Sequence, residues 1–188
     1  ATIALSSGAL LADGAAVTTA KPSVTNKAQG VIVGYGSIFV PETTITTTGS
    51  FIVFGGGLSN SGLIATSGGT LGIYGLLTNN GTVAVTGGDL DVAADTTNAT
   101  GGQITIATGN TLDIAGTFTN SATVALAGGG LAAASTVGIV NNAAGLIDGN
   151  GAIVLTLGSI ANAGTISTSG GALTVTGRIV NTKSILVA

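Results

Sequence analysis

The side chains with the richest chemical options in this 188-residue chain are three aspartates, Asp89, Asp91 and Asp113. Asp89 and Asp91 flank Leu90 in Gly87-Gly88-Asp89-Leu90-Asp91-Val92, and Asp113 takes the place of Asp91 in the later Leu112-Asp113-Ile114. Two carboxylates about 5 Å apart on neighbouring strands could share Ca²⁺, a cation that wants several oxygen ligands. The Gly-Gly-x-Gly-x-Asp pattern of calcium-binding nonapeptide repeats is absent, which favours solvated strand residues over a metal site. Other chemistry is thinner. The chain has no His and no Cys, which removes the usual acid–base and nucleophilic options. A lyase-type carboxylate site would need a nearby base, and Lys27 and Arg178 lie several repeats away from Asp91 and Asp113. No catalytic residue and no cofactor is therefore expected, and the chain reads as a non-enzyme.

Composition narrows the class of partner. Only 6% of residues are charged, against roughly 25% in ordinary globular chains, and the net charge is −3. The four basic residues, Lys21, Lys27, Arg178 and Lys183, cannot make a nucleic-acid footprint or a polybasic membrane patch. No apolar run has the length of a membrane-spanning helix. Hydrophobic residues make up 45% of the chain, and the β-branched ones alternate with small polar ones. That is a strand signature, and it is the opposite of the apolar-poor, charge-rich profile of disorder. An exterior of Thr, Ser, Asn and Gly with so little charge fits an extracellular protein.

The elements that would carry these residues are set by a repeat. Asn60, Asn79, Asn98, Asn120, Asn141, Asn162 and Asn181 follow one another at intervals of about 20 residues. A period in this range marks a solenoid in which each repeat is one coil. An Asn that returns once per coil can hydrogen-bond to its counterparts above and below, as amide ladders do in cross-β assemblies. Aligning on the Asn positions exposes further columns. Two residues earlier stands an apolar residue (Leu58, Leu77, Phe118, Ile139, Ile160, Ile179), broken only at Thr96. Two residues later a small residue is usual (Gly62, Gly81, Ala122, Ala143, Gly164). Alternating apolar pairs follow, such as Val83 and Val85, then a Gly-Gly corner, then pairs such as Leu90 and Val92. This predicts an all-β fold, a single parallel β-helix of about nine coils of roughly 19–22 residues, with three short strands per coil and Gly or Asn at the corners. One domain spans 1–188, with less regular coils over 1–57 and regular ones over 58–188.

In the less regular part, Ile45, Ile52 and Phe54 are placed inward ahead of Asn60, Pro41 falls on the preceding ladder position, and Asn26 is taken as an earlier ladder member at a shorter spacing. A Thr column is expected at Thr44, Thr82, Thr123 and Thr165, interrupted by Leu63; it is too narrow for an ice-ordering array. The first and last residues read as strands, so Ile3, Leu5, Ile185 and Val187 are candidate end-to-end contacts between copies. A head-to-tail contact of that kind builds open filaments.

The segment Leu77-Thr78-Asn79-Asn80-Gly81-Thr82-Val83-Ala84-Val85-Thr86-Gly87-Gly88 resembles repeats in passenger domains of bacterial autotransporters and is similar to filamentous-haemagglutinin-like adhesins. The resemblance extends in repeat style over residues 43–188. It implies a right-handed β-helix on a bacterial surface, acting as adhesin, stalk or secreted fibre. The expected function is an extracellular structural solenoid that self-associates end to end. The alternatives are a segment of an adhesin passenger with a host or matrix ligand, and a carbohydrate-binding or carbohydrate-cleaving β-helix, for which Tyr35 and Tyr74 are the candidate exposed aromatics.

Overall fold

The computed structural model describes residues 2–11, 23–39 and 56–187. Every regular element among them is a β-strand, and every strand pairing is parallel. The chain winds as a parallel β-solenoid with three faces. The turn made of Thr82–Val85, Leu90–Val92 and Thr96–Asn98 shows the plan. Val83, Val85, Leu90, Val92, Thr96 and Asn98 point inward and are buried, and the residues between them face out. That alternation is the period of two of a pleated strand with one dry face. Where a corner is smooth, two faces run together as one strand, as in Leu63–Tyr74 and Thr123–Ala133, and Leu146–Asn162 covers all three.

Register defines the turns. On the first face Thr2, Val31, Leu63, Thr82, Gln103, Thr123, Leu146, Thr165 and Ser184 are successive partners. From Leu63 onward the partners follow one another at close to the period of the asparagines, giving six regular turns. The two turns before Leu63, begun by Thr2 and by Val31, are each about half as long again, and the ninth strand, Ser184–Leu186, stands alone on the first face. The expectation of nine coils of similar size is thus corrected. In the long turns 11 residues separate Leu11 from Ser23 and 17 separate Phe39 from Gly57, where regular turns have at most four between the strands of the second and third faces.

Two further corrections follow from register. Asn26 pairs directly with Asn60, 34 residues on, so no rung lies between them and Pro41 is not a ladder position. Val31–Phe39 supplies the first two faces of that turn. The places assigned to Thr44, Ile45, Ile52 and Phe54 belong to it, and those four residues lie outside the described ones. The small-residue column also shifts. Ala143 is exposed in a corner enlarged by two residues, and Gly145 takes its place. The column is tight because corners nest: a Cβ on Gly81 or Gly164 would collide with the carbonyl of Gly62 or Gly145 one turn below.

Inside, the apolar columns form one continuous core from Ile32 to Ile166, with most members fully excluded from water. Each such aliphatic side chain contributes roughly 1.5–3 kcal/mol by leaving water. The asparagines form the polar part of this core. Asn26, Asn60, Asn79, Asn98, Asn120, Asn141 and Asn162 each donate from Nδ2 to Oδ1 of the next turn's Asn at 2.6–2.9 Å. Nδ2 also bonds a carbonyl of the next turn, such as Asn60 to Thr82 O at 3.1 Å. Oδ1 accepts the local corner amide as well, such as Gly62 N on Asn60 at 3.2 Å. The amides of Asn60, Asn79 and Asn120 therefore close their own corners and tie them to the next turn.

Two substitutions test this packing. Asn141→Ala leaves the Oδ1 of Asn162 without its donor in the core and removes one of the three acceptors of Asn120 Nδ2, and leaving a buried polar group unsatisfied costs about 1–3 kcal/mol; thermal melts should show the loss, and an unchanged midpoint would contradict the ladder's role. Thr96 is fully buried between Leu77 and Phe118, and its Oγ1 has no hydrogen-bond partner. Thr96→Val keeps the shape and removes the stranded hydroxyl, so it should stabilise the chain by about 1 kcal/mol in the same assay.

Candidate functional site

The outward residues of the second face stack as Gly72, Asp91, Asp113 and Ala132. The expected alignment of Asp113 on Asp91 is therefore present, one rung apart, which is about 4.8 Å. Two residues further along each strand the chain places Tyr74, Ala93, Ala115 and Ala134 at the corner leading to the third face. Together with Asp91 and Asp113 they line a surface notch of about 310 Å³. The Tyr74 ring lies back over Gly72, where a Cβ would stand 2.8 Å from the ring's Cε2. The bare backbone at position 72 thus lets the ring lie down beside Asp91.

The electrostatics of the notch are one-sided. Desolvation, then the charge of Asp113, then that of Asp89 raise the pKa of Asp91 above the ordinary carboxylate range. Asp89 itself does not join the stacked pair as a third ligand. Its Oδ1 accepts the backbone N–H of Thr111 at 2.7 Å, which caps the strand of the next turn. Asp95 caps Thr117 N in the same way, also at 2.7 Å. Among the described residues, no three acidic side chains converge in the manner of a metal site. The basic residues stand apart as well. Lys27 follows Asn26 in the first described turn, and Arg178 pairs beside Ser159 three turns beyond Asp113.

Two further groupings appear in the strand register. Asp148 stacks under Ser167 on the first face; Ser167 Oγ donates to its Oδ1 and Ser169 Oγ to its Oδ2, at 2.5 and 2.7 Å. These hydroxyls hold the Asp148 carboxyl below its ordinary pKa. Thr25, Ser59, Thr78, Thr97 and Thr119 form a hydroxyl column on the third face, continued by Val140, Ala161 and Val180. The hydroxyl column stands one residue before each ladder Asn and can be read from that spacing, whereas the stacking of Asp148 on Ser167 needs strand register, because the corner after Asn141 is two residues longer than the corner after Asn162. The Thr column of the first face runs instead as Val31, Leu63, Thr82, Gln103, Thr123, Leu146 and Thr165, so it is interrupted more often than expected.

The candidate end contacts sit on the outermost strands. Ile3 and Leu5 pair through their backbones with Ile32 and Gly34. At the other end Ile185 is 44% and Val187 83% exposed. Among the described residues no helix is long and apolar enough to cross a membrane. The fold is consistent with β-helix repeat proteins. Compared with protein families, with curated proteins and with solved structures, the chain matches none.

The two perturbed aspartates act oppositely on stability. The folded pKa of Asp91 lies above its unfolded value, so stability is lost as pH rises through that folded value. The folded pKa of Asp148 lies below, so its contribution is present above the unfolded value and disappears as pH falls through the folded one. Asp113→Asn should lower the Asp91 pKa and raise the neutral-pH melting temperature relative to the parent, with the gap closing in acid. Carboxyl NMR titration with melts across the carboxylate range reads both, and an unmoved Asp91 pKa would show that the pair is not coupled.

Proposed function

We propose that this chain is a non-enzymatic, extracellular structural rod of bacterial-surface type, whose copies assemble end to end through their terminal turns. The observation that carries this reading is the surface of the last described turn. Leu173, Val175 and Ile179 are only partly buried there, whereas Ile153 and Ile160, one turn below, are fully buried. Ile185 and Val187 stand in the inward columns and are exposed. A parallel rung laid on this surface would bury those side chains and pair the open strand edge, and exposed edges of this kind template pairing with another chain. In this reading a second copy supplies the rung. The contact joins unlike ends, so it propagates instead of closing.

The alternative is a stretch of an autotransporter-type adhesin passenger, supported by the repeat style around Asn79-Asn80-Gly81. There the solenoid is a stalk, and ligands would be met along its sides. The absence of His and Cys and the separation of Asp91 and Asp113 from Lys27 and Arg178 support a non-enzymatic role in both cases.

Electron microscopy and light scattering over a concentration series separate the two. End-to-end assembly predicts unbranched rods that lengthen with concentration, with an axial repeat of about 40 Å from eight to nine rungs at 4.8 Å. Ile185→Lys, at an exposed position, should stop growth and leave the melting temperature unchanged. Short monodisperse rods at every concentration would overturn the reading in favour of the stalk.

A further inference from the structure

The notch beside Tyr74 has a composition that end-to-end stacking does not call for. One wall is the Tyr74 ring, whose edge comes over the bare backbone of residue 72. The floor is a run of three alanine methyls, Ala93, Ala115 and Ala134, spaced one rung apart. The remaining side is the stacked carboxylate pair, with no basic residue in the lining among the described residues. We propose that this notch binds a primary ammonium carried on an aliphatic stem, the chemistry of a lysine side chain, with the nitrogen held between Asp91 and Asp113 and the stem laid along the alanines and the Tyr74 ring.

Each part of the notch matches a part of that ligand. An ammonium has three donors in rotatable array, enough to bond two carboxylates one rung apart at the same time. The ring offers its π face or edge region to the cation and adjoining methylenes. Three alanines one rung apart span about 10 Å, longer than a four-carbon stem of about 5–6 Å. The unrelieved repulsion within the pair favours a cation over a neutral guest. A neutral sugar could stack on Tyr74, but it would leave both negative charges facing one another. A bare metal ion would make no use of the alanine floor. This site is lateral, so it does not depend on whether the ends assemble.

The test uses the full chain at low salt with n-butylammonium as the probe, followed through the Tyr74 ring protons and the Asp91 and Asp113 carboxyl carbons by NMR. Saturable shifts at all three residues are expected, with ammonium ion at least fivefold weaker and n-butanol giving no saturable shift. Asp113→Asn should weaken binding at least fivefold. Gly72→Ala, which displaces the ring and leaves both carboxylates in place, should also weaken it, with the melting temperature held within a degree or two. Absence of saturable shifts would overturn the proposal. So would equal affinity for ammonium and butylammonium, which would reduce the site to a diffuse negative charge. Ca²⁺ binding that displaces butylammonium at lower concentration would also overturn it, and would assign the pair to a metal.

Discussion

A buried asparagine amide, bonded to its own counterpart one turn away, governs how the turns of this solenoid stack. The seven Nδ2-to-Oδ1 bonds from Asn26 to Asn181 all run in the same direction. An apolar core of Val, Ile and Leu tolerates exchange of one aliphatic neighbour for another and is a weak judge of which rung lies on which. The asparagine column is a strict judge. Sliding a strand by one residue would turn its inward set to solvent, and sliding it by two would strand the amide among apolar side chains. The ladder thereby fixes the phase of the third face, and the corner bonds made by the same Oδ1 carry that phase to the first face of the next turn.

Once phase is fixed, the outside of the rod is free to vary. Corners absorb a few extra residues without disturbing the columns, as the enlarged corner around Ala143 and the protruding segment before Gly138 show. The outward residues are then displayed on a lattice of about 4.8 Å between rungs. That lattice brings Asp91 under Asp113, Asp148 under Ser167, and a column of hydroxyls from Thr25 to Thr119 into register without any contact to the core. With so few charges in the chain, each local grouping of this kind dominates its own surroundings. Partial burial, and after it the neighbouring carboxylates, raise the pKa at one site, whereas hydroxyls stabilise the lone carboxylate at the other, which is why the two aspartates shift in opposite directions.

Much of this was legible in residue types and spacing. The Asn ladder, the inward apolar pairs, the Gly-Gly corners and the stacking of Asp113 on Asp91 all follow from aligning the chain on asparagine, because Leu90-x-Val92 and Leu112-x-Ile114 stand at the same distance ahead of Asn98 and Asn120. What was not legible came from places where the chain lengthens between fixed points. Asn26 and Asn60 are 34 residues apart and yet adjacent in the ladder, where the regular period invites an extra rung between them. The corner after Asn141 is longer than that after Asn120, so counting two residues on lands on Ala143 when Gly145 is the nested position. The Tyr74 ring over Gly72 depends on a side chain folding back along its own strand, and Asp89 turning to cap Thr111 depends on a backbone amide one turn ahead. Neither leaves a mark in sequence spacing.

The asparagine side chains act as structural members of the core, bonded from turn to turn. Hydrogen exchange at the Asn side-chain amides is the decisive measurement, because these protons can be followed one residue at a time by NMR. The Nδ2 protons of Asn79, Asn98, Asn120 and Asn141 should exchange as slowly as the backbone amides of the buried strands beside them, with Asn181, exposed and without an acceptor for its Nδ2 among the described residues, exchanging fast. Rapid exchange throughout the column would contradict the ladder and with it the register on which the solenoid is built.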